Sequence, residues 1–586
     1  MKKILCILFT VFYLSSGFGQ DIEIEKTYEI SGKADIGDVA NVSYDQNTGQ
    51  SVYSFIVKSK SDLISIESYS FDKDFNFLKN DADQLTFEQA KKKYPWWNYN
   101  GEHLESDDLI VDESDDIVLL KKKFEFDYDW KKLVYTVKSD VKDKIKLKND
   151  AGSKYVHHRN WIPEDENNVI ILCGERSKSD KLLQDKTFHL IKINDADVSI
   201  SKDVEIKFDY PQTIVYPRFN DEKTEGRGCE LEKDIILVFA PRDEGAKFSD
   251  PQKNNFTFMR IDKDLNITDR ISFSSPNSFW SVEDPIYDQK QNSVYLIGAS
   301  LGENAKYFND LTNTDKFDGF QIMKISDHKI GFINSVSQDE INKNIVMPPS
   351  QKKAKKYEGK KFIIAEYTVT SEGYLFLVGQ SWYTDAMGTM SNLSSSTSLP
   401  GKKSRKIKYS DCFGLGFDTE GRLIGQYLFD TKGMMGGNDF SVYQYLFVGN
   451  NPATIYWLIL QPVYWTWNPI VQVYDYRPVK QPSLSDFMVR PIDYIYYTPA
   501  TDFNPLYFIN SKIKCDIVSA NLGKIDLSKN QISEFNNHQY KKEEKKFYYL
   551  CPGNPLLLTN DNKLIFFGSQ AMKKGKTLWF ARLRLD

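Results

Sequence analysis

Short apolar runs, most of them unbroken, recur along the chain. They are Val52-Tyr-Ser-Phe-Ile, Ile117-Val-Leu-Leu, Val169-Ile-Ile-Leu-Cys, Ile235-Ile-Leu-Val-Phe, Val294-Tyr-Leu-Ile-Gly, Tyr374-Leu-Phe-Leu-Val-Gly, Ile455-Tyr-Trp-Leu-Ile and Leu564-Ile-Phe-Phe-Gly. Four or five continuous apolar residues suit a strand buried on both faces. Polar turns lead into them. Tyr44-Asp-Gln-Asn-Thr-Gly-Gln-Ser-Val-Tyr53 and Tyr287-Asp-Gln-Lys-Gln-Asn-Ser-Val-Tyr295 match apart from one residue of turn length. Each predicts strand, tight turn, strand.

A second hairpin follows most runs. Phe256-Thr-Phe-Met-Arg-Ile enters Asp262-Lys-Asp-Leu-Asn266, and Ile66-Glu-Ser-Tyr-Ser-Phe enters Asp72-Lys-Asp-Phe-Asn76. Phe413-Gly-Leu-Gly-Phe enters Asp418-Thr-Glu-Gly421, and Phe188-His-Leu-Ile-Lys-Ile and Phe320-Gln-Ile-Met-Lys-Ile behave alike. The outer strands alternate apolar and polar residues, as half-exposed strands do. Two hairpins make four strands, and four-stranded units at intervals of roughly 50 to 80 residues resemble the blades of β-propeller repeat proteins in general. No repeated WD dipeptide or kelch signature singles out a named propeller family. The resemblance implies an all-β fold of eight four-stranded blades, or seven if one unit is irregular.

The two ends of the chain fit together in this scheme. The last unit, Leu564 to Gly568 and then Thr577-Leu-Trp-Phe-Ala-Arg-Leu-Arg, is one strand short, while Ile22-Glu-Ile-Glu-Lys-Thr-Tyr-Glu-Ile30 alternates without a blade of its own. Pairing the two would close the ring and hide both sheet edges.

Ahead of that strand, Lys2 and Lys3, an apolar stretch from Ile4 to Leu14 and Gly17-Phe-Gly19 predict a cleaved secretory leader over 1–19. The propeller then occupies 20–586, with inserted loops expected at about 83–105, 384–410 and 470–550. The first insert includes a short helix near Thr86-Phe-Glu-Gln. No later stretch is long and apolar enough for a transmembrane helix, so the protein is expected outside the cytoplasm: periplasmic, at the cell surface or secreted.

Composition narrows function more than it names it. The formal charge of −5 and pI near 5.9 lack the basic excess of a nucleic-acid binder. The run Lys352-Lys353-Ala354-Lys355-Lys356 reads as a solvated loop. Removing Cys6 with the leader leaves five cysteines. Cys173 and Cys412 read as small buried hydrophobes, and Cys515 with Cys551 is left as an open pairing. No CxxC, HExxH or P-loop pattern occurs.

The candidate chemistry is sparse. The Asp-Lys-Asp-x-Asn turns offer alternating oxygen ligands for calcium, but they lack the glycine and glutamate of a calcium loop and read as side-chain-held turns. The adjacent His157 and His158 face opposite sides of a regular strand and cannot chelate together without a bulge. No metal or cofactor is expected, and no catalytic residues are assigned. The candidate ligand-binding residues are the aromatics Trp96, Trp97, Tyr99, Trp382, Tyr383, Trp465 and Trp467, placed in loops beside amides. Packing between blades is weighed above ligand contact for them. The reading is an exported binding or scaffold protein contacting a protein or glycan, with a carbohydrate-active propeller enzyme as the alternative.

Overall fold

The computed structural model describes residues 22–35, 38–59, 63–86, 89, 103–112, 118–129, 134–146, 153–163, 168–177, 185–194, 197, 199–216, 230–231, 234–241, 256–275, 279–280, 282, 284–288, 292–301, 317–351, 353, 356–386, 405–431, 442–468, 473–475, 513–541, 546–550, 556–570 and 577–585. The leader expected at 1–19 lies outside them.

The described chain is all-β. Its antiparallel strands fall into eight consecutive groups: 38–86, 103–146, 153–212, 212–273, 279–337, 361–429, 443–532 and 546–584. Each of the eight apolar runs falls on the strand that pairs with the opening strand or strands of its group, although Ile117 lies outside the described residues and Tyr374 just precedes its strand, and the second group has three strands. Two neighbouring pairs of groups share a sheet. The long strand Ser199–Tyr216 is the outer strand of the third group until Gln212, and from there it pairs with Ile235–Pro241 of the fourth. Ile513–Asp526 touches the eighth group through Ile517 and Leu550.

The runs are unbroken because alternate residues meet different neighbours. Ile235, Leu237 and Phe239 pack against the third group, while Ile236, Val238 and Ala240 pack against the fifth. Leu375 and Leu377 face the fifth group, and Phe376 and Val378 face the seventh. Leu564 and Phe566 face the seventh, whereas Ile565 and Phe567 join Tyr53, Tyr69 and Phe71 of the first. The last group thus packs on the first. Each fully buried Leu, Ile or Phe contributes about 1.5–3 kcal/mol. Large rings fill these boundaries: Trp280, Trp457 and Trp579 are fully buried, and Trp579 stacks on Tyr548 at 4.8 Å.

The N-terminal strand pairs as expected. Ile22–Glu29 runs antiparallel to Thr577–Arg584, from Ile22 opposite Leu583 to Glu29 opposite Thr577. Trp579 Nε1 donates to Glu25 at 2.8 Å, and Arg582 pairs with Glu23 at 2.7 Å. Arg582 also donates to the Lys73 carbonyl of the first group.

The Asp-x-Asp-x-Asn turns hold themselves. Asp72 Oδ1 accepts from the amides of Asp74 and Asn76, and its Oδ2 accepts from the Asn76 side chain; Asp262 repeats the pattern with Asp264 and Asn266. The carboxylates accept from N–H donors, as in a side-chain-held turn. A lysine on the preceding group's outer strand reaches each asparagine: Lys26 to Asn76, and Lys202 to Asn266. The fourth turn residue has positive φ, at Phe75 (57°) and Leu265 (58°), and its side chain is buried against the preceding group. At Gly421 (φ 75°) the space is filled instead by Phe332 of the preceding group.

The expected inserts contain more strand than the sequence suggests. Phe77–Thr86 and His103–Asp112 enter the first, and Thr86 and Gln89 exchange the two hydrogen bonds of a helix-opening box. Leu375–Ala386 and Arg405–Phe417 enter the second, and Val473–Asp475, Ile513–Asp526 and Lys546–Leu550 lie in the third. The connections are sorted by end. Those at 242–255, 302–318, 387–404 and 469–512 all join second to third strands and leave from one end. Tight turns at Asp45, Thr370, Asp418 and Thr559 close hairpins at the other end, where 217–234 is the long exception.

Candidate functional site

The expected aromatic residues do not form one described cluster. Trp96, Trp97 and Tyr99 lie outside the described residues. Trp382 and Tyr383 sit within the strand Leu375–Ala386, opposite Tyr409 and Lys408. Trp465 and Trp467 sit within Thr454–Asn468, opposite Lys514 and Tyr474. Strands, and not loops, therefore carry these four. Aromatic residues favour extended pairing, and both strands continue their pairing as hairpin arms beyond an irregularity. The arms begin at register shifts, between Gln380 and Trp382 and between Gln461 and Pro462.

The ionisable residues that the structure does bring together are in the third group, at the end where the long connections leave. Its inner strand Ser153–Pro163 carries a register shift that makes His158 the extra residue between His157 and Arg159. This is the bulge that a regular strand would lack. His158 Nε2 lies 3.1 Å from Asp185 Oδ2, with side chains 11% and 4% exposed. Gly174 runs between them, and a Cβ there would lie 2.6 Å from His158 Nε2. Only glycine leaves room for this pair.

A second set occupies the opposite face. His189 Nδ1 is 3.0 Å from Asp203 Oδ1, and its Nε2 is 3.6 Å from Glu175 Oε2. Tyr155 meets the imidazole edge-to-face at 4.9 Å. Burial works against a proton on His189, but the hydrogen bond and charge of Asp203, with Glu175 beyond, outweigh it and raise the pKa. Burial, then the charges of Asp203 and Glu175, push the Tyr155 hydroxyl up to about 12, so it remains a neutral donor.

Buried imidazole–carboxylate pairs can hold a proton in place or orient a polar ligand. Among the described residues no set of three or more His, Cys, Asp or Glu side chains is arranged to hold a metal ion. Cys173 and Cys412 are buried free thiols. Cys515 lies on Ile513–Asp526, and the side chains of Cys515 and Cys551 lie outside the described residues. Sequence reading missed Glu175, Asp185, His189 and Asp203. The one signal was the His157-His158 dipeptide, whose bulge is invisible without the sheet register.

No family model matches the chain, and no curated protein matches it. Solved structures similar to it include a cobalt-substituted apocarotenoid oxygenase of Synechocystis, 11% identical over 75% of this chain and 91% of that one, with a TM-score of 0.25. A polysaccharide lyase of family PL25, an ulvan lyase, is 9% identical over 74% of this chain and 93% of its own, at TM-score 0.25. An α-L-arabinofuranosidase from Fusarium graminearum is 9% identical over 75% of this chain and 94% of its own, at TM-score 0.21. Superpositions this loose carry no argument about activity, and no named propeller family follows from them.

Proposed function

We propose that the chain is an exported β-propeller of eight blades that binds a glycan or a protein outside the cytoplasm, through the end bearing its long connections. The sorting of connections carries the reading: tight turns dominate one end, while the inserts at 242–255, 302–318, 387–404 and 469–512 share the other. Binding residues are commonly held on connections raised from a rigid scaffold. The packing of the eighth group on the first supports a ring, and the leader-like N-terminus supports export. Trp382, Tyr383, Trp465 and Trp467 on the hairpin arms at this end suit a sugar ring or a protein surface. The glycan arm of the proposal is the one put to test first.

Affinity electrophoresis of the mature protein through gels containing xylan, galactomannan or pectin tests it. Retardation in at least one gel is expected. Trp465→Ala or Trp467→Ala should then weaken it about tenfold with melting unchanged, the cost of losing an aromatic anchor. No retardation in any gel, with large melting losses in both variants, would mean that these residues pack and that the glycan reading fails.

The alternative, a carbohydrate-active enzyme, draws on one observation, the enclosed His158–Asp185 pair at the same end. It requires polysaccharide cleavage that His158→Ala abolishes.

A further inference from the structure

Charge is placed differently at the two ends of the strand groups. At the end of tight turns, aspartates use their carboxylates on the turn itself. Asp72, Asp262 and Asp418 each accept from two backbone amides of their own turn. Cations beside such turns are engaged locally: Arg422 pairs with Asp418, Lys529 with Asp526 and Lys563 with Asp561.

The hairpin arm of the sixth group, at the opposite end, is built otherwise. Its returning strand Arg405–Phe417 opens with Arg405, Lys406 and Lys408, and the facing segment of Leu375–Ala386 brings one acid, Asp385. Register sets Asp385 opposite Lys406, Ala386 opposite Arg405 and Tyr383 opposite Lys408. Three cations thus stand against one carboxylate, on a chain whose formal charge is −5. Residues directly opposite across an antiparallel pair share a face. Tyr383 and Lys408 therefore fall on one face of the arm, with Asp385 and Lys406 two residues along it. The seventh group packs beside the sixth and repeats the pairing on its own arm, where Trp465 stands opposite Lys514 and Asp516 opposite Val463. Adjacent arms each set a lysine in register with an aromatic residue.

We infer that the two arms take an anionic polysaccharide, one whose sugars carry carboxylate or sulfate groups, with Tyr383 and Trp465 receiving sugar rings and Lys408 and Lys514 the anionic groups. This rests on the glycan reading above and names the class of glycan. An aromatic ring suits the apolar face of a sugar. An ammonium gains only neutral acceptors from an uncharged sugar. From a carboxylate or sulfate it gains a charge-assisted bond about twice as strong. The net negative charge of the chain opposes general attraction of such a polymer, which confines binding to the arms.

Native gels containing polygalacturonate, dextran sulfate or galactomannan separate carboxylate, sulfate and uncharged polymers. Retardation is expected in at least one anionic gel, about tenfold stronger than in galactomannan. Retardation by polygalacturonate alone assigns the carboxylate, and by dextran sulfate alone the sulfate. Lys408→Gln and Lys514→Gln should each weaken it about fivefold with melting unchanged. Lys329→Gln removes the same charge beside a turn at the other end and should leave retardation as in the parent. Equal losses in all three variants overturn the inference, because net charge alone would then act. Parent-like retardation of both Lys408→Gln and Lys514→Gln overturns it too. Retardation by galactomannan as strong as by the anionic polymers leaves the glycan reading standing and overturns the anionic class alone. A parent protein that no gel retards, xylan and pectin included, overturns both.

Discussion

His538 stacks on Phe566 at 6.2 Å, and burial lowers its pKa to about 4. In the unfolded chain a histidine titrates near 6.5. Between those values the unfolded state takes up a proton that the native state refuses, so stability falls as pH drops from about 6.5 toward 4. Solvent at the partly exposed ring screens the effect, leaving about 1–2 kcal/mol. Urea midpoints measured at pH 7.5 and pH 5 should show that loss, and His538→Phe should remove its share. Little of this scale was legible in advance. Cys173 and Cys412 were read correctly as buried because they sit in or beside apolar runs. Glu175, Asp185, His189 and Asp203 were not singled out, because strand pairing brings them together from three strands without any sequence spacing.

The paired-acid turns show two local terms in competition. Phe75 sits at φ 57°, where a side chain other than glycine's costs about 1–2 kcal/mol. Its ring stacks on Phe580 of the eighth group at 5.2 Å. Removing a buried phenylalanine costs about 3–5 kcal/mol. Packing outweighs strain, so Phe75→Gly should destabilise the protein by about 2 kcal/mol in chemical denaturation, despite relieving the backbone. Elements were the most legible scale. Apolar runs marked one strand in each of the eight groups, because such a strand must satisfy two neighbouring groups at once. The hairpin arms were read as loops, since the Ser-, Gly- and Lys-rich stretch at 384–410 and the prolines at 469–512 hide the strands that lead into them. Ser199–Tyr216 could not be foreseen as one strand serving two groups, because its change of partner at Gln212 depends on where the fourth group sits.

For the whole molecule, the pairing of the first strand with the last is the costly contact to lose. Deleting 21–31 would strip the ladder from Thr577–Arg584, leave Trp579 Nε1 without Glu25 and leave Arg582 without Glu23. The loss should be about 3–5 kcal/mol from cross-strand pairs and charged hydrogen bonds. Sedimentation should also show association through the uncovered edge. A deletion that melts like the parent and stays monomeric would remove the closing role. This pairing was legible because the last unit was a strand short and an alternating segment stood alone at the other end. The same arrangement has a mechanical side. Ile22 lies opposite Leu583, so the start of the first strand and the end of the last leave one antiparallel ladder at the same end. Tension applied between the termini does not shear that ladder as a block. It peels the bonds singly, like a zipper drawn from its open end. The ladder that resists heat as a unit therefore yields bond by bond under pull.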